Sequence, residues 1–198
     1  MAYTMPDQYG IREVCDLEFY ALGADGGKKG TDPVFKIDTA KTSTLESATT
    51  TVYAQGGKGN PRLIAWEGER TLTFTVEDAL ISKEGLELLN GDLTKDNKIT
   101  IEPNKFADYY YVEAKSLMRK AVDGKDYLLT IVLPRVKIQS GFTMTMAPTG
   151  DPSTFSYVMD AFPGKVGTEE AVTADKTTNS LKKVLCEMTI NSSSVSEE

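Results

Sequence analysis

The feature that most constrains this chain is a strict alternation of threonine with large apolar side chains. In Thr71-Leu72-Thr73-Phe74-Thr75-Val76-Glu77, an extended backbone puts Leu72, Phe74 and Val76 on one face and the threonines and a carboxylate on the other. A helix would scatter the two sets around its circumference, whereas a period of two sorts them cleanly. Phe142-Thr143-Met144-Thr145-Met146 repeats the arrangement, and the chain carries 23 threonines, whose branched Cβ favours extended backbone. Further strand candidates are Asp16–Leu22, Val34–Ile37, Lys98–Ile101, Phe155–Ala161 and Lys183–Ile190, most of them bounded by Gly, Pro, Asn or Asp. Tyr109 to Val122 has some helical character, but Asp123-Gly124 and the strongly β-forming run Tyr127–Leu133 follow at once, which predicts a hairpin with both arms extended. One helix is predicted, Lys83 to Asn90, with Ser82 as its cap, Leu86 and Leu89 toward the core and Gly91 as its stop. The fold class is therefore mainly β, a β-sandwich or barrel with one short flanking helix.

The 198 residues suit one domain, expected over 1–190, with a disordered polar tail at 191–198. Within it the Thr-, Ser- and Ala-rich segment Lys41–Gln55 and the glycine cluster after it are expected to form an extended inter-strand loop at about 41–70. Histidine is absent, which excludes Ser-His-Asp and Cys-His catalysis, His-ligated zinc and a histidine pH switch. Cys15 and Cys186 are too few for a four-cysteine zinc site or a disulfide-rich scaffold and are expected to be reduced and structural. The first residues show no basic region followed by an apolar stretch and no apolar run approaches a membrane span, so cytoplasmic synthesis without a membrane anchor is expected. With 22 basic against 29 acidic side chains the net charge is −7, and no basic cluster offers phosphates a counterion-releasing surface.

The motifs that suggest chemistry fail on spacing. Neither Gly27-Lys28 nor Gly57-Lys58 has the preceding glycine and following hydroxyl of a P-loop. Asp92 to Lys98 resembles the start of a calcium loop, but Asn97 stands where glycine is needed and Pro103 where the bidentate glutamate belongs. Asn191-Ser192-Ser193 is a glycosylation sequon, meaningful only on secretion. Scattered carboxylates leave a glycosidase-like pair open, yet nothing selects one. No metal or cofactor is expected.

The most unusual segment is Ala54 to Arg70, which holds the only tryptophan. Two readings are open for it. In one, a polar arm leads to a glycine turn, Pro61 sets the exit, and Arg62 and Trp66 supply the residue types that dominate interface energetics. In the other it is a hairpin whose Trp66 packs in its own core. Here the sequence resembles the major tail tube proteins of long-tailed bacteriophages. The resemblance lies in Gly56-Gly57-x-Gly59-Asn60-Pro61-Arg62-Leu63-Ile64-x-Trp66, the Thr-rich strand and Asp78-Ala-Leu-Ile-Ser82 after it, and Pro134-Arg-Val-Lys-Ile-Gln-Ser-Gly-Phe-Thr-Met-Thr-Met146. It continues through Gly150-Asp151-Pro152 and covers about residues 10–190.

The resemblance implies hexameric rings stacked into a tube through which the genome passes. On it, the expected role is a non-enzymatic subunit of the virion tail, assembled in the host cytoplasm with other tail proteins. Gly56, Gly57, Gly59, Asn60, Pro61, Arg62 and Trp66 are the candidate subunit or ring contacts. Thr71, Thr73, Thr75 and Glu77 are candidate lumen-facing residues, although an external solvated face explains them equally well. An acidic wall repels phosphate over about a Debye length of ~10 Å, so DNA is expected to pass without specific binding. The alternative is a carbohydrate-binding β-sandwich with Tyr109-Tyr110-Tyr111 in its groove; a carboxylate hydrolase ranks below both.

Overall fold

The computed structural model describes residues 7–13, 15–80, 82–90, 98, 100, 103–104, 106–139, 154–166 and 183–195. Its strands are β1 (Tyr9–Ile11), β2 (Asp16–Ala21), β3 (Phe35–Ile37), β4 (Ala40–Gln55), β5 (Arg62–Asp78), β6 (Tyr109–Lys120), β7 (Asp126–Ile138), β8 (Phe155–Ala161) and β9 (Glu187–Val195), with one helix, α1 (Lys83–Asn90). The strands are ordered β3-β2-β6-β7-β8-β5-β4, every ladder antiparallel, with β1 added on β6 and β9 on β7. At the centre stands the predicted β6–β7 hairpin. Its turn is closed by Lys120 N–H donating to Lys125 O at 2.9 Å and by Gly124, whose φ of +67° only glycine adopts at little cost.

Strand β7 belongs to two layers, and a bulge makes the passage. Leu129, Ile131 and Leu133 face the core along its first half, whereas Val136 and Ile138, of opposite parity, face it along the second. Between them Pro134 and Arg135 stand opposite the single residue Tyr111, so the face reverses where proline has no ladder N–H to lose. At that point the outer neighbour of β7 changes from β9, paired over Asp126–Val132, to β8, paired over Val136–Ile138. Gly164 lies against the bend, where a Cβ would come within 3.0 Å of Arg135 and 3.1 Å of Pro134. One layer thus contains β1, β2, β6, β9 and the start of β7, and the other β8, β5, β4 and its end.

The layers bury Leu17, Phe19, Val112 and Ile131 against Phe74, Val76, Phe155, Tyr157 and Met159. Each such side chain contributes about 1.5–3 kcal/mol on burial. The sheet is not closed: β3 and β4, at opposite ends of the strand order, are joined through Asp38-Thr39 rather than by a ladder. The Thr39 hydroxyl donates to buried Asp78 at 2.5 Å and fastens that corner. Helix α1 flanks it as expected, with Ser82 Oγ accepting the Gly85 N–H at 3.0 Å. Leu88 is buried and Leu86 half-buried against the core.

Several expectations are corrected. Residues 41–70 form a long two-stranded ribbon rather than a loop, because β-branched threonines and valine hold both arms extended. Residues 191–195, expected to be disordered, belong to β9, whose backbone is held by the ladder to β7 although its side chains are exposed. That strand begins at Glu187, and Val184 makes only an isolated bridge to Gly164. The candidate strand Phe142–Met146, the turn at Gly150–Pro152, Gly91 and the Leu89 side chain lie outside the described residues, as do Ile99 and Ile101; Lys98 and Thr100 are in no strand.

Candidate functional site

Strands β4 and β5 pair from Ala40↔Asp78 to Gln55↔Arg62, but β8 supports β5 only over Thr73–Asp78. Beyond Leu72 no third strand pairs with the hairpin among the described residues, and every residue from Arg62 to Thr71 is exposed. From Ala48 to Gln55 the arm reaches about 23 Å at ~3.3 Å per residue.

The tip is built from the predicted glycine cluster. Gly57 (φ +83°), Gly59 (φ +88°) and Asn60 (φ +51°) occupy left-handed backbone, which glycine and asparagine adopt most readily. Gly56 N–H donates to Pro61 O at 3.3 Å and Asn60 Nδ2 to Gln55 Oε1 at 3.1 Å. Arg62 then lies over the Tyr53 ring, 4.2 Å from its centroid.

A second bulge decides where Trp66 points. Thr51 pairs with Glu67 and Thr49 with Arg70, so Gly68 and Glu69 together oppose Thr50. Simple alternation along β5 would carry Trp66 onto the face of Leu72, Phe74 and Val76. The bulge instead places it with Val52, Ala54 and Ile64 on the opposite face, continuous with Thr71, Thr73, Thr75 and Glu77. The core-packed reading of Trp66 is therefore overturned. Trp66 is 53% exposed, Ile64 54%, Val52 59% and Leu63 63%, an apolar surface that nothing among the described residues covers.

The seven candidate contact residues accordingly gather toward the end of the ribbon, and the four candidate lumen residues lie on one face of its base. There a row of cross-strand neighbours runs Tyr109, Lys137, Asp160, Thr73 and Glu46. Glu77, in the next rows, accepts from Thr42 at 3.2 Å. Hydrogen bonds from Thr154 and then Thr42 hold its carboxyl below the usual range. Glu46, Glu77 and Asp160 share this face with Lys137, with Arg135 over the Tyr109 ring and with Lys41 near Glu77. The outer face of the other layer is charge-paired. Glu18 and Glu113 face each other across β2 and β6, and Lys115 (2.7 Å) and Lys36 (2.8 Å) hold Glu18 while Lys28 (2.8 Å) holds Glu113. The lysines, Lys115 foremost, lower the Glu18 pKa to about 2.

The other candidates dissolve on inspection of their surroundings. Tyr109-Tyr110-Tyr111 is no exposed aromatic groove: Tyr111 is 2% exposed, Tyr110 packs on the core beside Phe19, and Tyr109 lies under Arg135. Strand alternation along β6 turns Tyr110 to the core face and Tyr109 and Tyr111 to the other. Cys15 and Cys186 are both free, and burial raises both thiols, Cys186 to about 11. No cluster of His, Cys, Asp or Glu among the described residues suits a metal ion, and no helix there is long and apolar enough to cross a membrane. Sequence reasoning missed the clamp at Asp126, a buried carboxylate that accepts from Arg119 at 2.7 and 2.9 Å and also from Arg12, tying the β1–β2 connection to the hairpin. Its partners are 7 and 114 residues away in the chain, and no local pattern announces the second.

No curated protein matches the sequence. The model of the YomU/Tube protein family matches it over residues 10–95 and 92–176, which takes in the ribbon, the central hairpin and strand β8. With an open antiparallel β fold and an exposed apolar ribbon already evident, that match assigns the chain: it belongs to the YomU/Tube family, a family of phage tail tube proteins.

Proposed function

We propose that the protein is a non-enzymatic structural subunit that forms hexameric rings, and that the rings stack into the tail tube through which the genome is delivered. The observation that carries this reading is the β4–β5 ribbon, which projects about 23 Å with Val52, Leu63, Ile64 and Trp66 exposed. An isolated two-stranded ribbon is marginal in water, and exposed aromatic and aliphatic side chains on it are explained by burial against a neighbouring subunit. Gly56, Gly57, Gly59, Asn60, Pro61, Arg62 and Trp66 are the contact residues in this reading, and the face of Thr71, Thr73, Thr75 and Glu77 is turned to the lumen, where its carboxylates repel DNA. Assembly takes place in the host cytoplasm, with other tail proteins at the ends of the tube.

The test is replacement of residues 49–70 by Asn-Gly, which leaves the Ala48↔Thr71 pair and the base of the ribbon in place. A folded subunit that no longer polymerises is expected in electron micrographs. Tubes of normal length from this variant would overturn the reading.

A further inference from the structure

Among the described residues, the ribbon is one exposed apolar feature of the subunit. Another is the open end of the sandwich, a cleft of about 380 Å³ floored by Leu45, Phe74, Leu129 and Ile131 and edged by Ile11, with Arg12, Glu13 and Lys41 at its rim. Its apolar surface continues onto β9, where Ile190 stands beside Leu129 and Met188 beside Ile131. Ile11 is 72% exposed, Met188 58% and Ile190 39%.

The ribbon cannot fill this cleft in its own subunit. Leu45 lines the cleft and lies in the same strand as Val52, seven residues away, so an extended arm holds Val52 and its cross-strand neighbour Trp66 about 23 Å from it. A second cavity among the described residues, at Pro33, Val34 and Leu80, is ringed by Asp38, Asp78 and Glu84 with Lys36, a poorer seat for apolar side chains.

We propose that the apolar end of the ribbon, Val52, Ile64 and Trp66, seats in a second copy of this chain, on the cleft and the adjoining Met188–Ile190 surface of β9. The inference rests on the proposed assembly role of the ribbon and names its receptor. Two different patches of one chain meeting in this way form a heterologous contact, which repeats from copy to copy rather than closing in a twofold dimer, as a tube requires. Trp66 supplies the aromatic anchor, and the cleft supplies a dry floor for it.

The experiment is done on the full chain with Cys15→Ser and Cys186→Ser, carrying Ile64→Cys and Ile190→Cys together or singly. Mild oxidation of assembled tubes is expected to give a ladder of covalent oligomers from the double variant, only dimers from a mixture of the two single variants, and no cross-link from either alone. Independently, Met188→Asp with Ile190→Asp, both on exposed side chains, is expected to leave the melting temperature unchanged and to raise the concentration needed for polymerisation about tenfold or more. Tubes that yield no ladder, or that form from the aspartate variant at the unaltered concentration, would overturn this receptor. The assembly role of the ribbon itself falls only if the subunit without residues 49–70 still polymerises.

Discussion

Gly85 shows how tightly one residue can be specified. A Cβ there would collide with the Tyr157 hydroxyl and come within 3.0 Å of the Ser82 Oγ that caps the helix. Gly85→Ala should therefore cost about 1–3 kcal/mol, despite alanine's better helix propensity. The Tyr157 hydroxyl is buried and finds no partner among the described residues, so Tyr157→Phe should cost little and should rescue Gly85→Ala in a double-mutant cycle followed by thermal unfolding. Asp126 makes a second prediction. Arg119 first, then Arg12, lower its pKa to about 2, against ~3.9 for an unfolded aspartate. A depressed carboxylate stabilises fully above the unfolded value and loses its contribution as pH falls through the folded one. Glu18, also at about 2, acts in the same window. Stability should thus hold from neutrality to about pH 4 and fall between pH 4 and 2. Asp126→Asn should flatten that acid limb and lower the melting temperature at pH 7, as circular dichroism against pH and temperature would register.

At the scale of the element, the ribbon and the sandwich should respond separately. The sandwich buries the core, whereas the outer half of the ribbon has, among the described residues, only its own cross-strand pairs. Gly68 sits at the bulge, where a Cβ would lie 2.9 Å from Thr50 Oγ1 and 3.1 Å from the Thr50 carbonyl oxygen. Gly68→Val should disrupt the ladder there. The expected outcome is faster amide exchange across Val52–Trp66, unchanged protection in β6 and β7, and weakened assembly. Equal loss of protection in ribbon and sandwich would show that they form one cooperative unit.

At the scale of the molecule, charge is distributed by face. One outer face pairs its carboxylates with Lys28, Lys36 and Lys115, and the other carries Glu46, Glu77 and Asp160 beside Lys137, Arg135 and Lys41. Repeated along a tube, Glu46 of the second face would form closely spaced rings of carboxylate whose field a narrow channel screens less than open solvent does. Glu46→Lys, on an exposed side chain, should leave tube formation intact and slow genome ejection, with the defect easing as salt rises. Ejection kinetics unaltered at low salt would place this face outside the channel.

Much of the fold was legible because strand periodicity, turn chemistry and capping are local. Thr71–Glu77 sorted its faces, Asp123-Gly124 marked the central hairpin, Ser82 marked the helix start, and Gly56 to Arg62 marked the tip of the exposed ribbon. What remained hidden depends on pairing between distant segments. The bulge at Pro134–Arg135 exists only against Tyr111, and the one at Gly68–Glu69 only against Thr50, yet the first carries β7 from one layer to the other and the second turns Trp66 away from the core. The ordering of 191–195 likewise comes from the ladder to β7 and not from its own serine-rich sequence. Local residues thus determined which segments extend and where they turn, while the tertiary structure alone decided which faces are buried, because a face is defined by the strand across from it.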